Sequence, residues 1–321
     1  MRPRTIISRL ILASFLLLAA CGDDDGDGSI PMTGNRPTTT AEESQPEEEA
    51  QGGGTFPTTV EAANGPVELS EQPESIVSLS PTATEMVFAI DAGDQVVAVD
   101  ERSNFPEQAP VTDLSGFEPN VEAIASYDPD LVLVDGDAAI TELEALDISV
   151  LMLPAAAALE DSYSQIEQLG QATGHVTEAE DLVTEMEADI EDLLGQAPET
   201  DQTISVYHEL DGELYTAGST SFIGQIYEMA GLDNIAAAIP GDNPYPQISA
   251  EEIVTANPQW IFLAYGGEDA VAAVRSRSAW DQITAVREDQ VVSLDPDIAS
   301  RWGPRTVVLL ATILGTVAPP I

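Results

Sequence analysis

The feature that most constrains the fold is the run from residue 177 to 195, where Ala179, Leu182, Val183, Met186, Ile190, Leu193 and Leu194 recur at spacings of three and four before Gly195. Thr177 and Glu180 read as a capping box at its start. The pattern predicts an amphipathic helix of about nineteen residues, roughly 28 Å long, about the diameter of a small domain. A helix of that length in mid-chain is a stiff spacer, so the segments on either side of it are expected to fold as two bodies.

Both flanks show the same alternation of short β-branched runs with helical segments. Before the long helix, 76–79, 96–99, 131–134 and 148–153 read as strands. Ser80-Pro81 supplies an N-cap and a proline at the first helical position of a helix running to Ile90, and further helical segments lie near 120–127 and 138–146. After it, 203–208 and 260–264 read as strands, and 221–230, 249–256 (capped by Ser249) and 304–316 as helices. Such alternation predicts parallel sheets with helices on both faces. Two lobes on one rigid helix leave a cleft between them, where a ligand is expected to bind.

The N-terminus reads as an export signal: Arg2, Arg4 and Arg9 precede an apolar run over 10–20 that is too short to span a membrane. Cys21, the one cysteine in the chain, directly follows the small residues Ala19 and Ala20, where a lipid would be attached, and it has no partner for an intrachain disulfide. Residues 21–66, with Asp23-Asp24-Asp25, Glu47-Glu48-Glu49 and Gly52-Gly53-Gly54, offer little apolar surface and read as an acidic tether. The division expected is a signal peptide over 1–20, a disordered tether over 21–66, an N-terminal lobe over 67–175, a connecting helix over 176–196 and a C-terminal lobe over 197–321.

Ten arginines and no lysine stand against 57 Asp and Glu, a formal net charge of −47. This field repels nucleic acid and anionic headgroups, so neither is expected as a partner, and it suggests a saline habitat. With only His175 and His208, the chain lacks the histidines that a site for free zinc or manganese would use. No Gly-x-Ser-x-Gly elbow accompanies Ser80, and no lysine-bearing phosphate loop is present, so neither an enzyme nor a cofactor is expected.

Several blocks, in order, carry a resemblance: Ser75-Ile76-Val77-Ser78-Leu79-Ser80-Pro81-Thr82-Ala83-Thr84-Glu85; Glu118-Pro119-Asn120-Val121-Glu122-Ala123-Ile124 with Asp128-Pro129-Asp130; Leu214-Tyr215-Thr216-Ala217-Gly218; Tyr245-Pro246-Gln247-Ile248-Ser249; and Arg301-Trp302-Gly303-Pro304-Arg305. Over about residues 70–318 the chain resembles the helical-backbone (class III) substrate-binding proteins of ABC importers, the cobalamin and ferric-siderophore group. The resemblance implies an α/β fold of two Rossmann-like lobes joined by a single long rigid α-helix. It also implies capture of a ferric siderophore or cobalamin in the cleft, delivery to an ABC permease dimer with its ATPase, and attachment to the membrane through lipid on Cys21. The alternative is a structural or adhesive envelope lipoprotein that transports nothing.

The same resemblance puts permease docking on Glu122 and Glu251, with Glu252 as an ambiguous neighbour. Residues on loops after strands are the ligand candidates: Arg102, Phe105, Phe117, Asp135, His208, Glu209, Tyr215, Tyr245, Asp297, Arg301 and Trp302. Asp297 and Arg301 match positions that contact the corrinoid in cobalamin-binding relatives, whereas Arg102 falls where those relatives tend to carry an aromatic residue. An arginine facing a cleft suits an anionic ferric chelate. Trp302 could stack on a flat ligand, while Trp260 and Trp280 read as core.

Overall fold

The structure is a computed structural model that describes residues 53–196 and 203–318; the signal segment, Cys21 and the acidic residues up to 52 lie outside the described residues. The first element of the described residues is an antiparallel hairpin, β1 (Thr58–Ala62) and β2 (Gly65–Leu69). This corrects the expected tether, whose last residues belong to the folded body. Val60 is fully buried, and Asn64 at the hairpin tip donates to the Val150 carbonyl and accepts from the Met152 amide. The Asn64-Gly65 pair between alternating runs is a hairpin signal, with Gly65 at φ +108° as the tight turn requires.

Strands β3 (Ile76–Ser78), β4 (Val96–Val99), β5 (Leu131–Val134) and β6 (Ser149–Met152) form a parallel sheet in the order β4-β3-β5-β6. Parallel strands are covered on both faces, and β5 is accordingly buried at every position. Helix α1 (Pro81–Ala89) opens as expected, with the Ser80 hydroxyl accepting from the Ala83 amide at 3.3 Å and Pro81 in the first turn. Helices α2 (Val121–Ala125) and α3 (Ile140–Glu144) complete the first crossovers.

Helix α4 (Leu159–Thr173) is absent from the sequence reading. Its buried face carries Ser162, Gln165 and Thr173 among Ile166, Leu169 and Ala172, and those polar residues break the apolar period. The long helix α5 (Val176–Gln196) follows. It begins ahead of Thr177, which places that residue inside the first turn and not at the cap.

The C-terminal lobe comprises β7 (Ser205–Glu209), α6 (Phe222–Met229), β8 (Asp233–Asn234), α7 (Ala250–Ala256), β9 (Trp260–Leu263), α8 (Gly267–Arg275), α9 (Thr284–Arg287), β10 (Val291–Ser293), α10 (Pro296–Ser300) and α11 (Thr306–Val317). Its parallel sheet runs β10-β9-β7-β8. In both sheets the lobe's first strand lies between its second and third, so the two lobes share one strand order and one kind of switch point. Helix α5 serves both: Ala179, Val183 and Met186 lie in the N-terminal lobe's core, and Ile190 in the C-terminal lobe's.

Candidate functional site

Ligands of open parallel sheets bind beyond the carboxyl ends of the strands, where the chain leaves the first strand for opposite sides. The structure has a cleft there, of about 760 Å³, within the range of small-molecule sites. One wall is built from the loops that follow β3, β4 and β5; the other is the segment 297–302 that follows β10 in the second lobe. Gly116 lies on the floor, where a Cβ would stand 2.3 Å from the Leu79 carbonyl oxygen and 2.9 Å from Asp100 Oδ2, so only glycine fits.

A charged network joins the two walls. Glu85 on α1 is almost fully buried, and Arg301 and Arg305 of the other lobe converge on it. Arg301 Nη1 donates to Glu85 Oε1 at 2.7 Å, Arg305 Nε donates to Oε2 at 2.8 Å, and Arg305 Nη2 donates to Oε1 at 2.6 Å. Arg301 Nη2 also donates to the Arg102 carbonyl at 2.9 Å and to Asn104 Oδ1 at 3.0 Å, and it pairs with Asp297 at 2.8 Å. Asn104 closes the circuit by donating to Asp297 Oδ2 at 2.7 Å. A buried carboxylate is tolerated when it is paired and its lone pairs are filled, as here; removing one partner of such a group costs about 3–5 kcal/mol.

Trp302 makes a second strap. Its indole N–H donates to Gln165 of α4 at 2.8 Å, its carbonyl accepts from Ser162, and its ring packs against the cores of both lobes. Two of the polar residues that hid α4 from the sequence reading, Ser162 and Gln165, therefore hold the second lobe.

The remaining candidates divide clearly. Arg102, Phe117, Asp135, Asp297, Arg301 and Trp302 all line the cleft, and Phe117 is 87% exposed at its mouth. Phe105 lies beside it under the Arg305 guanidinium, 4.3 Å from the ring centroid. His208 and Glu209 do not face the cleft, contrary to expectation. Both are fully buried because their strand β7 lies in the middle of its sheet. His208 Nδ1 lies 2.8 Å from the Tyr227 hydroxyl, and burial pushes its pKa down to about 4. Glu209 accepts a two-pronged bond from Arg277, with both contacts at 2.7 Å, and a bond from Tyr265, whose pKa burial and that carboxylate push up to about 12. Tyr215 and Tyr245 are each 38% exposed but lie outside the cleft lining. Trp280 is core, and Trp260 is only partly buried, stacked on Phe262.

Two carboxyls on the N-terminal wall are perturbed. Burial pushes the Asp100 carboxyl up, against the hydrogen bond from Ser103 Oγ at 2.6 Å. Burial, and then the charge of Asp100, pushes Asp135 up as well. Among the described residues no three His, Cys, Asp or Glu side chains gather as a metal-binding group.

Sequence reasoning missed Glu85, Asn104, Gln165 and Arg305. Glu85 and Arg305 lie inside blocks that carried the resemblance, and the Arg301/Arg305 spacing of four was the available hint of two guanidiniums sharing one acceptor.

A family model described as periplasmic binding protein matches residues 76–298. The ABC transporter substrate-binding lipoprotein YvrC of Bacillus subtilis is 33% identical over 264 residues, covering 78% of this chain and 82% of that protein. A cobalamin-binding protein of Halobacterium salinarum is 32% identical over 269 residues, covering 80% of this chain and 73% of that one. Among solved structures, the periplasmic vitamin B12 binding protein BtuF of Vibrio cholerae is 27% identical with a TM-score of 0.62, covering 76% of this chain and 97% of that chain.

Proposed function

The chain belongs to the periplasmic binding protein family, and we propose that it is the substrate-binding component of an ABC importer, capturing a ferric siderophore or cobalamin and delivering it to a membrane permease. The observation that carries this reading is the cleft at the switch point of one lobe, closed by the segment 297–302 of the other. It is large enough for most of a chelate, presents Phe117 for a flat ligand face, and is straddled by side chains of both lobes. The protein works by binding and release, without chemistry of its own.

Docking to the permease falls to Glu122 and Glu251, in the first turns of α2 and α7. Both are exposed, and opposite charges at two separated points would steer docking and fix register. Glu252 is otherwise engaged: its Oε2 accepts from both the amide and the hydroxyl of Ser249, which leaves Glu251 for the second role. Lipid on Cys21 holds the protein at the outer face of the cell membrane, with the acidic residues beyond it as spacer; the signal-like N-terminus and the similarity to a substrate-binding lipoprotein support this.

The test is a titration of the mature chain carrying Cys21→Ser with cyanocobalamin and with ferrichrome, followed by tryptophan fluorescence and equilibrium dialysis. Saturable 1:1 binding of either is expected. Absence of binding by both at micromolar concentrations overturns the reading.

A further inference from the structure

The charges around the cleft specify more than its size does. Five carboxylates line it, Asp100, Glu101, Asp135, Asp137 and Asp297, against two guanidiniums, Arg102 and Arg301. Those two cations are not equivalent. Arg301 is 7% exposed and its donors are committed to Glu85, Asn104, Asp297 and the Arg102 carbonyl, so it has little left for a ligand. The Arg102 side chain is exposed and makes no ion pair among the described residues, yet it stands among carboxylates that outnumber it.

Resting on the cleft as the cargo site, we infer that it selects neutral or cationic chelates and rejects anionic ones. Asp297 is taken up by Arg301 and Asn104, and Asp100 is buried and held by Ser103, which leaves Glu101, Asp135 and Asp137 around a single uncommitted guanidinium. An incoming anion would gain one cation and face the excess of acid; a neutral ligand with amide N–H donors, or one bearing an ammonium, finds acceptors instead. The rest of the chain acts in the same direction, since a formal charge of −47 repels anions before they reach the mouth. Arg102 alone suggests the opposite preference, because sequence does not reveal which neighbours share its space.

The experiment uses two series in which only peripheral charge varies. Ferrioxamine B carries a free ammonium, its N-acetyl form is neutral and its N-succinyl form is anionic, all around the same ferric trihydroxamate. Cyanocobalamin and its monocarboxylic acid form the corrinoid pair. Affinities are measured by equilibrium dialysis with the mature chain. In whichever series binds, the anionic member is expected to bind at least tenfold more weakly than the neutral one. Glu101→Gln with Asp137→Asn, both at exposed positions and both keeping an acceptor oxygen, is expected to narrow that gap at least threefold. An anionic member that binds as well as or better than its neutral partner overturns the inference and leaves the importer reading standing. Failure of every member of both series to bind overturns the importer reading, and the inference with it.

Discussion

Arg301 Nη1 reaches Glu85 Oε1 across the cleft at 2.7 Å, so among the described residues one lobe's buried acid is neutralised only by the other lobe's cations. The pair expected to touch cargo, Asp297 and Arg301, is thereby part of the frame that sets the distance between the walls. Glu85→Gln is expected to destabilise the protein by about 3 kcal/mol, the cost of leaving two guanidiniums without their carboxylate. Urea denaturation measures it, and small-angle scattering is expected to report a wider separation of the lobes.

Trp302 is the one of the three tryptophans that lines the cleft. A bound corrinoid or ferric chelate is expected to quench the emission saturably, and Trp302→Phe to remove most of the quenched fraction. If the variant quenches as the parent does, the cargo lies elsewhere.

His208 makes the protein sensitive to acid. Its folded pKa of about 4 lies below the ordinary 6.5, and among the described residues its Nε2 has no hydrogen-bond partner to reward protonation. The unfolded chain therefore takes up the proton first. The stability this neutral ring contributes is complete above about pH 6.5 and is lost as pH falls from there through about 4, on the order of 3 kcal/mol at most. His208→Gln is expected to shrink the drop in urea midpoint between pH 7 and pH 5.

Asp135 has the opposite sign. Its folded pKa is raised, by burial and by Asp100, so its charged form is penalised at neutral pH and the penalty is relieved as pH falls through the folded value. Asp135→Asn is expected to raise the melting temperature at pH 7, by an amount that vanishes towards pH 4.

Substituting Glu122 and Glu251, the acids proposed for docking, tests docking apart from folding. Glu122→Ala with Glu251→Ala is expected to abolish stimulation of the importer's ATPase in proteoliposomes without changing cargo affinity. Glu252→Ala is expected to lower thermal stability, because it removes the Ser249 capping box of α7, and to leave stimulation intact.

Periodicity carried most of the fold. The β-branched runs at β3, β4, β5 and β9 and the stripe of α5 fall where the pattern puts them, because buried parallel strands and a two-sided helix advertise themselves through apolar spacing alone. The hairpin was obscured by its acidic, threonine-rich surroundings although Asn64-Gly65 announced it. Helix α4 was obscured because Ser162 and Gln165 occupy buried positions to serve the other lobe. The site divided along the same line. Loop residues after strand ends, such as Arg102, Phe117 and Asp135, reached the cleft as chain order implied, whereas His208 and Glu209 end a central strand with neighbours on both sides, a fact of sheet order that no local pattern displays. The partners of Arg301 in the other lobe, Glu85, Arg102 and Asn104, lie about two hundred positions away and are visible only in three dimensions.

The sharing of α5 between both cores bears on how the molecule comes apart. Neither lobe can lose this helix and keep its own interior, for Met186 and Ile190 stand one turn apart and answer to different lobes. The two halves are therefore bound into one cooperative transition, and a destabilising change in either core is felt as a lower melting point of the whole.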